Sequence, residues 1–370
     1  MGEHIDISRF VKKAVDQKPQ PAPVIDHVFA DFNFPDKIQS NLAQKNYVTP
    51  TPIQDKAIPF VQAGKDVVGM AQTGTGKTAA FLLPLIQKVL DDKTDKQNVL
   101  IIAPTRELAQ QIEAEFRQFT VGLPISSTVC VGGMPIFRQI ASLRQCPHFV
   151  IGTPGRLKDL ADKKCLKLAA FNSVVIDEVD HMLDMGFIDD IKEILSQVSP
   201  VRQSLFFSAT MPPRIRELVN QFLKDPVTVE IQSGKTAENV DQDIVRVTDK
   251  ANKFSQLTGL LSQPGFERVI VFSETKRDVE RLTMDLINAG FKAQSIHGDK
   301  QQRERTRALE QFKTGVVSIL VATDVAARGI DVKDVSHVIN YTIPQTHDDY
   351  VHRIGRTGRG NKKGIALTFV

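Results

Sequence analysis

The sequence predicts an α/β fold of two tandem doubly wound parallel-sheet domains joined by a short linker. Apolar runs of strand length alternate with amphipathic helical patterns along most of the chain, which is typical of parallel sheets covered by helices. With 370 residues, the chain is long enough to form two complete cores. We divide it into an N-terminal extension, a first domain, a linker and a second domain, at 1–28, 29–231, 232–240 and 241–370.

Six apolar runs in each half are predicted as strands. Those of the first domain are 66–71, 99–103, 127–131, 149–152, 174–177 and 204–208. Those of the second domain are 244–248, 269–272, 293–297, 318–321, 337–340 and 365–369. Amphipathic patterns at 277–289 and 303–311 predict helices between them. In such folds ligands bind at the carboxyl ends of the strands.

Composition and charge indicate the kind of partner and the cellular compartment to expect. Residues 1–232 carry equal numbers of basic and acidic side chains, so the whole net charge of +4 lies in 233–370. That distribution is compatible with a polyanionic partner. Three cysteines without a C-x-x-C pair argue for a reducing compartment and against a zinc site. The acidic N-terminus is not a signal peptide and no uncharged run is long enough to cross a membrane, so we expect a cytoplasmic protein.

Two motifs together predict a nucleoside triphosphatase. Gly74–Thr78 (G-T-G-K-T) follows an apolar run and precedes a helical pattern, and a glycine loop in that setting presents backbone N–H groups to phosphate. Lys77 can then reach the β- and γ-phosphates, and Thr78 presents a hydroxyl to Mg²⁺. Asp177–Asp180 (D-E-V-D) follows a second apolar run, where acidic side chains hold the metal from the other side.

Arginines near the C-terminus suggest a role for the second domain. Arg353, Arg356 and Arg359 recur at a spacing of three with glycines between them, and glycines weaken a helix that would merely be solvated. Arginines from a second domain can neutralise the charge that develops on a transferring γ-phosphoryl group. We therefore expect a site that is complete only when the two domains close.

From Phe29 to its end, the chain resembles the DEAD-box ATP-dependent RNA helicases of superfamily 2. Ten motifs support the resemblance and occur in the order of that family: 50–54, 71–78, 104–108, 132–133, 153–156, 177–180, 208–210, 302–305, 327–331 and 352–359. The resemblance implies that both domains are RecA-like, that the cofactors are ATP and Mg²⁺, and that the substrate is RNA. It also implies a monomeric core that binds RNA without regard to sequence.

The resemblance assigns residues to the nucleotide site. The implied nucleotide-binding residues are Phe29, Tyr47, Gln54, Gly74, Thr75, Gly76, Lys77, Thr78 and Asp331. The implied catalytic residues are Lys77, Asp177, Glu178, His352, Arg356 and Arg359, with Thr78 and Asp177 at the metal. Gln54 would recognise adenine, Glu178 would orient or deprotonate the attacking water, and Asp331 would meet the ribose.

The resemblance also assigns residues to RNA and to coupling between sites. The implied RNA-binding residues are Thr105, Arg106, Gly133, Thr153 and Arg156 from the first domain, with Thr323 and Gly329 from the second. Backbone and arginine contacts to phosphate carry no sequence information. Ser208 and Thr210 would bond to Asp180 or His352 and so link the ATP site to the RNA path.

The sequence departs from the family pattern at three places, and from the strict phosphate-loop pattern at one. Ala71 stands where the strict phosphate-loop pattern has its first glycine, Val179 replaces the usual alanine, and Asn46 replaces a glycine before Tyr47. The sequence ends at Val370, on what should be a late strand of the second domain. The acidic residues of the metal site are unaffected by these differences.

Three functions remain open on the sequence alone. The first is a helicase that separates short RNA duplexes locally, and the second is an ATP-gated RNA clamp or scaffold that seldom unwinds. Both would use every motif named above. A DNA translocase of the same superfamily is disfavoured by the motif around Gln54 and by 104–108.

Overall fold

The computed structural model describes a chain folded as two compact units. The described residues are 11, 25–72, 74–92, 98–231, 239–247, 249, 252–327, 332, 334–358 and 363–370. One unit spans the described residues from 25 to 231, and the other those from 239 to 370. Most of the predicted linker lies outside the described residues, and its last residue, Val240, begins a strand.

The first unit contains a seven-stranded parallel sheet. Its strands are β1 (Val67–Met70), β2 (Val99–Ile102), β3 (Ser127–Cys130), β4 (Phe149–Gly152), β5 (Ser173–Asp177), β6 (Gln203–Ser208) and β7 (Val227–Glu230). They lie in the order β3-β4-β2-β5-β6-β1-β7, with every pair parallel. Strands β2, β4, β5 and β6 are buried along their whole length, as expected for a sheet covered on both faces.

Nine helices cover this sheet within the described residues. They are α1 (Asp36–Ala43), α2 (Pro52–Gln62), α3 (Lys77–Asp91), α4 (Arg106–Phe119), α5 (Ile136–Leu143), α6 (Pro154–Asp162), α7 (Val179–Asp184), α8 (Ile188–Gln197) and α9 (Pro213–Phe222). Short 3-10 turns occupy Phe29–Phe32 and Leu168–Ala170. Helices α1 to α4 share one apolar cluster with the sheet, and α6, α8 and α9 share a second.

The second unit repeats this architecture with six parallel strands. They are β8 (Val240–Val245), β9 (Val269–Phe272), β10 (Ala293–Ile296), β11 (Ile319–Ala322), β12 (His337–Asn340) and β13 (Gly364–Phe369), in the order β10-β11-β9-β12-β13-β8. Its described helices are α10 (Lys253–Leu261), α11 (Lys276–Asn288), α12 (Gln302–Lys313), α13 (Asp324–Ala327) and α14 (His347–Ile354).

The predicted fold class is confirmed, and two strands differ from the prediction. β7 was not predicted, because its sequence Val-Thr-Val-Glu is short and half exposed at the edge of the sheet. β8 begins at Val240 rather than at 244, because its first half contains the polar run Asp241–Asp243, which hides the start of the strand. Both strands therefore lack the continuous apolar run that marks a central parallel strand.

A buried arginine joins α14 to the rest of the second unit. The Arg353 guanidinium donates to both carboxylate oxygens of Asp324, at 2.5 and 2.8 Å, and to the carbonyl oxygen of Thr342 at 2.7 Å. It also lies over the ring of Phe272, 5.2 Å from the ring centre. This side chain is 2% exposed, so the first of the three predicted arginines has a structural role.

None of the helices among the described residues combines the length and the apolar character required to span a lipid bilayer.

A histidine in β12 makes the stability of the second unit sensitive to acid. His337 stacks on Phe266 with ring centres 3.8 Å apart, and burial lowers its pKa to about 4. In the unfolded chain a histidine has a pKa of about 6.5. Between these values the unfolded state binds a proton that the folded state does not, so stability falls as pH falls through that window.

We expect His337→Gln to remove part of this acid sensitivity. Each unit of pKa difference corresponds to about 1.4 kcal/mol, so wild type should lose more stability than the variant between pH 7 and pH 5. The measurement is the urea midpoint for unfolding of the second unit at both pH values. Equal losses in the two proteins would contradict the buried neutral state of His337.

Candidate nucleotide and nucleic-acid site

The loop between β1 and α3 has the backbone of a phosphate cradle. Gly74 and Gly76 have φ angles of +80° and +89°, in the left-handed region that glycine adopts without steric cost. Gly76 immediately precedes the 15-residue helix α3, whose first N–H groups have no helical acceptor. Such a helix start attracts phosphate.

The Lys77 and Thr78 side chains lie at the base of this loop. Both residues are buried, and the Lys77 ammonium donates to the carbonyl oxygen of Ala71 at 3.0 Å. The Thr75 hydroxyl donates to the carbonyl oxygen of Gln72 at 2.7 Å. The lysine charge is therefore held within the loop, where it can be redirected to phosphate oxygens.

Gln54 connects the start of α2 to the phosphate loop. Its side-chain nitrogen donates to the carbonyl oxygen of Gly76 at 3.0 Å, and its side-chain oxygen accepts from the backbone N–H of Thr51 at 2.8 Å. A β-carbon at position 76 would overlap the Gln54 amide, so Gly76 is also needed for this close approach. The residue predicted to recognise adenine is thus bonded directly to the predicted phosphate site.

The two predicted aromatic residues lie against each other. The rings of Phe29 and Tyr47 are 5.5 Å apart and nearly perpendicular. Phe29 is buried and also contacts Phe32, while the partly buried Tyr47 contacts Phe119. The structure therefore brings Phe29 and Tyr47 together, with Phe29 in the core of the first unit.

Asp177 is a buried carboxylate at the carboxyl end of β5. It is 2% exposed and accepts a hydrogen bond from the backbone N–H of Glu178 at 3.0 Å. Burial raises its pKa to about 6, with the Lys77 ammonium acting in the opposite direction and the Glu178 carboxylate adding to the rise. A nearby cation would favour the charged form.

The Thr78 hydroxyl and the Asp177 carboxylate are oxygen ligands of the kind that bind Mg²⁺. Two such ligands are too few for a metal site made of protein side chains alone. Across the described parts of the chain, no group of three or more His, Cys, Asp and Glu side chains could hold a metal ion. Magnesium is usually held by one or two carboxylates together with waters and substrate phosphates. The donor set is therefore suited to a metal that arrives with a nucleotide.

Glu178 is held in an unusual backbone conformation beside a histidine. Its φ is +55°, and it caps the N-terminus of α7. Its carboxylate lies 3.2 Å from Nδ1 of His181, and both residues are buried. Nε2 of His181 has no hydrogen-bond partner among the described residues. An N–H at Nδ1 of His181 can donate to this carboxylate.

Sequence reasoning missed His181. The signal was its position three residues after Glu178, since residues at i and i+3 share a helix face.

Asp180 ties the end of β5 to the end of β6. One carboxylate oxygen accepts from the backbone N–H groups of Ala209 and Thr210, at 3.0 and 2.9 Å, and from the Thr210 hydroxyl at 3.2 Å. Its own backbone N–H donates to the Ser208 hydroxyl at 3.3 Å. The structure thus brings together Asp180, Ser208 and Thr210, the three residues predicted to couple the sites.

The predicted RNA-binding residues of the first unit follow three adjacent strands. Thr105 and Arg106 follow β2, Gly133 follows β3, and Thr153 and Arg156 follow β4. The phosphate loop, the acidic residues and Ser208–Thr210 follow β1, β5 and β6. With the strand order β3-β4-β2-β5-β6-β1, one edge of the sheet carries the two sets side by side.

Close contacts join the loops that carry the predicted RNA-binding residues. Gly133 has a φ of +74°, and a β-carbon there would lie 2.8 Å from Cζ of Arg106. Arg156 donates to the carbonyl oxygen of Met134 at 3.2 Å. Thr105 caps α4 by accepting from the N–H of Leu108 at 3.2 Å, and Thr153 precedes α6.

Part of the predicted site in the second unit is described. Thr323 follows β11, where its N–H donates to the carbonyl oxygen of Ile296 at 3.3 Å. Arg356 is buried in the turn after α14, and its Nε donates to the carbonyl oxygen of His352 at 3.3 Å. Three predicted residues lie outside the described residues: Gly329, Asp331 and Arg359.

Comparison with known families and proteins agrees with this arrangement. Residues 51–218 match the family model for DEAD/DEAH box helicases, and residues 252–361 match that for the helicase conserved C-terminal domain. The ATP-dependent RNA helicase CshA of Listeria monocytogenes is 47% identical over 343 residues, which cover 92% of this chain and 66% of that relative.

Two solved structures share the fold of the whole core. S. cerevisiae Dbp5 bound to RNA and ADP BeF3 superposes with a TM-score of 0.81 at 29% identity, covering 92% of this chain and 89% of that one. Mss116p bound to ssRNA and AMP-PNP gives 0.82 at 30% identity, covering 92% and 73%. With both family models matched along most of its length, this chain belongs to the DEAD/DEAH box helicase family.

Proposed function

We propose that this chain is an RNA-dependent ATPase that separates short RNA duplexes locally and without sequence preference. One observation carries the proposal: the predicted nucleotide residues and the predicted RNA residues follow neighbouring strands along one edge of the sheet. Similarity to a protein named as an ATP-dependent RNA helicase, and to Dbp5 bound to RNA and a nucleotide, supports the same conclusion.

In this proposal the first unit binds and positions the triphosphate. Backbone N–H groups around Gly74 and Gly76 hold phosphate oxygens, and the Lys77 ammonium exchanges its bond with the Ala71 carbonyl for one with phosphate. Thr78 and Asp177 would hold Mg²⁺, which neutralises charge on the phosphates. Glu178, kept in place by His181, orients the attacking water.

The second unit completes the site when the two units close on the nucleotide. Arg356 and Arg359 would reach the γ-phosphate and Asp331 would meet the ribose, as the family resemblance implies. In the structure the Nε of Arg356 is bonded to the backbone of its own turn, and its terminal nitrogens would make the contact with phosphate. His352, also implied as catalytic by the resemblance, contributes the carbonyl to that bond.

RNA would lie along Arg106, Gly133 and Arg156 of the first unit and Thr323 and Gly329 of the second. Arginines and backbone groups at glycines bind phosphates and leave the bases unread. The Thr105 side chain fixes the start of α4, and the backbone N–H of Thr153 donates to the carbonyl oxygen of Cys130 at 3.1 Å. Binding would therefore depend on charge and strand geometry rather than on sequence.

A strand-displacement assay tests the proposed activity. Opening about four base pairs costs on the order of 6 kcal/mol at ~1.4 kcal/mol per step, the value for DNA, which is within reach of one round of domain closure. We expect ATP-dependent displacement to fall steeply as a blunt RNA duplex is lengthened. RNA-stimulated ATP hydrolysis without displacement of even short duplexes would instead identify the chain as an ATP-gated RNA clamp.

Two substitutions separate nucleotide binding from hydrolysis. Lys77→Ala should remove both, because the loop loses its positive charge. Glu178→Gln should retain ATP and RNA together in a long-lived complex, because only the orientation of the water is lost. Binding of labelled ATP and RNA with single-turnover hydrolysis makes the comparison. If Glu178→Gln lost ATP binding as fully as Lys77→Ala, the role given to Glu178 would be wrong.

Gln54→Ala should weaken ATP binding and reduce the preference for ATP over GTP. The variant loses the bonds to Gly76 and Thr51 as well as the amide available to adenine, at a cost of about 1–3 kcal/mol. The measurement is the Kd for each nucleotide by calorimetry. Gln62→Ala is the matched control, since Gln62 lies on the same helix and bonds to Phe32 instead. Equal effects of the two substitutions would contradict a specific role for Gln54.

His181 is expected to act as a positioning residue for Glu178. His181→Leu removes the hydrogen bond to the carboxylate, so kcat should fall by about tenfold to a hundredfold while KM for ATP and RNA affinity stay the same. His181→Asn places an amide nitrogen near the position of Nδ1 and should restore most of kcat. Steady-state kinetics of both variants makes the comparison. Equal kcat values for Leu and Asn would show that His181 only fills space.

A further inference from the structure

We propose that Phe137 and Met134 form a stacking surface for an unpaired RNA base, next to the phosphate-binding arginines of the first unit. The inference rests on the RNA-binding function proposed above and extends it, because it adds a contact with a base to a site otherwise made of phosphate contacts. The surface is called here the α5 platform and consists of Met134, Phe137 and Arg138.

The two apolar side chains of the platform are more exposed to solvent than apolar side chains usually are. Phe137 is 66% exposed and Met134 is 41% exposed. Among the described phenylalanines only Phe60, at 38%, is also exposed. Helix α5 packs on the apolar core through Ile136, Ile140 and Leu143, so Phe137 is not needed to hold the helix in place.

The platform has the chemistry of a nucleic-acid stacking surface. The Arg138 guanidinium lies 5.9 Å from the centre of the Phe137 ring, so an aromatic face and a positive charge are adjacent. Aromatic faces beside basic groups bind single-stranded nucleic acids by stacking of bases, which tolerates any base. An aromatic ring without neighbouring charge would fit a protein partner equally well.

The platform is continuous with the proposed RNA edge. It begins at Met134, one residue after Gly133. The Arg106 guanidinium packs against the backbone of Gly133. The carbonyl oxygen of Met134 accepts a hydrogen bond from Arg156 at 3.2 Å. Arg106 and Arg156 therefore flank the loop that carries the platform, so a strand bound to both arginines passes beside it.

The position of the platform in the fold says which nucleotide it would contact. β3 is the outermost strand of the sheet, and α5 follows it. The platform thus lies at the outer end of the row of loops after β3, β4 and β2. The stacked base would belong to a nucleotide that flanks those whose phosphates are bound.

The test is the affinity of the full chain with AMP-PNP for a labelled single-stranded RNA of about 12 nucleotides. Phe137→Ala should weaken binding by about 5-fold to 100-fold, the typical loss on removal of one stacked aromatic. The dependence of log K on log salt should not change, because no phosphate contact is removed. Phe137→Trp should restore affinity, and Phe60→Ala, the other exposed phenylalanine, should have no effect.

RNA with abasic flanking nucleotides separates stacking from other contacts. On that RNA, wild type and Phe137→Ala should bind equally, since no base is available to stack. A loss that persists on the abasic strand would overturn the proposal, as would unchanged affinity of Phe137→Ala on normal RNA, the result expected if a partner protein covers the platform. Failure of wild type to bind any RNA would instead refute the proposed function itself.

Discussion

The Asp180 carboxylate is the interaction on which the organisation of the first unit depends. It accepts hydrogen bonds from two backbone N–H groups and one hydroxyl of the segment after β6, and it lies two residues after Glu178 at the end of β5. A buried carboxylate bonded in this way fixes its partners firmly, because an unsatisfied charge in the interior is costly. The ends of β5 and β6 are therefore bonded directly to each other, and we expect a change at Asp177 or Glu178 to reach Ser208 and Thr210 by this route.

Parallel strands explain why so many functional groups meet along one line. Every strand of the first sheet ends at the same edge, so each loop that follows a strand contributes to a single surface. The strand order separates this surface into a phosphate half at β5, β6 and β1 and an arginine half at β3, β4 and β2. Both halves use the same local device, in which a glycine at positive φ admits a side chain close to the backbone, as Gly76 does for Gln54 and Gly133 does for Arg106.

The fold class and the candidate site residues could be predicted because their signals are short motifs or depend on the order of motifs along the chain. The glycine loop, the acidic motif and the buried strands each occupy a few consecutive residues. Strands β7 and β8 were missed or displaced, because they lack continuous apolar runs. The bond between Gln54 and Gly76 joins residues 22 apart, and no local pattern reveals such a contact. The roles given to the site residues stay predictions, and residues 329, 331 and 359 lie outside the described residues.

The coupling between nucleotide and RNA is the central claim, and the affinity for RNA with and without AMP-PNP tests it most directly. The account predicts that AMP-PNP tightens RNA binding by about 5-fold to 150-fold, the usual range for coupled sites, and that RNA tightens AMP-PNP binding by the same factor. Asp180→Asn should reduce this factor while each ligand alone binds as it does to wild type. An RNA affinity that is the same with and without the nucleotide in wild type would contradict the account.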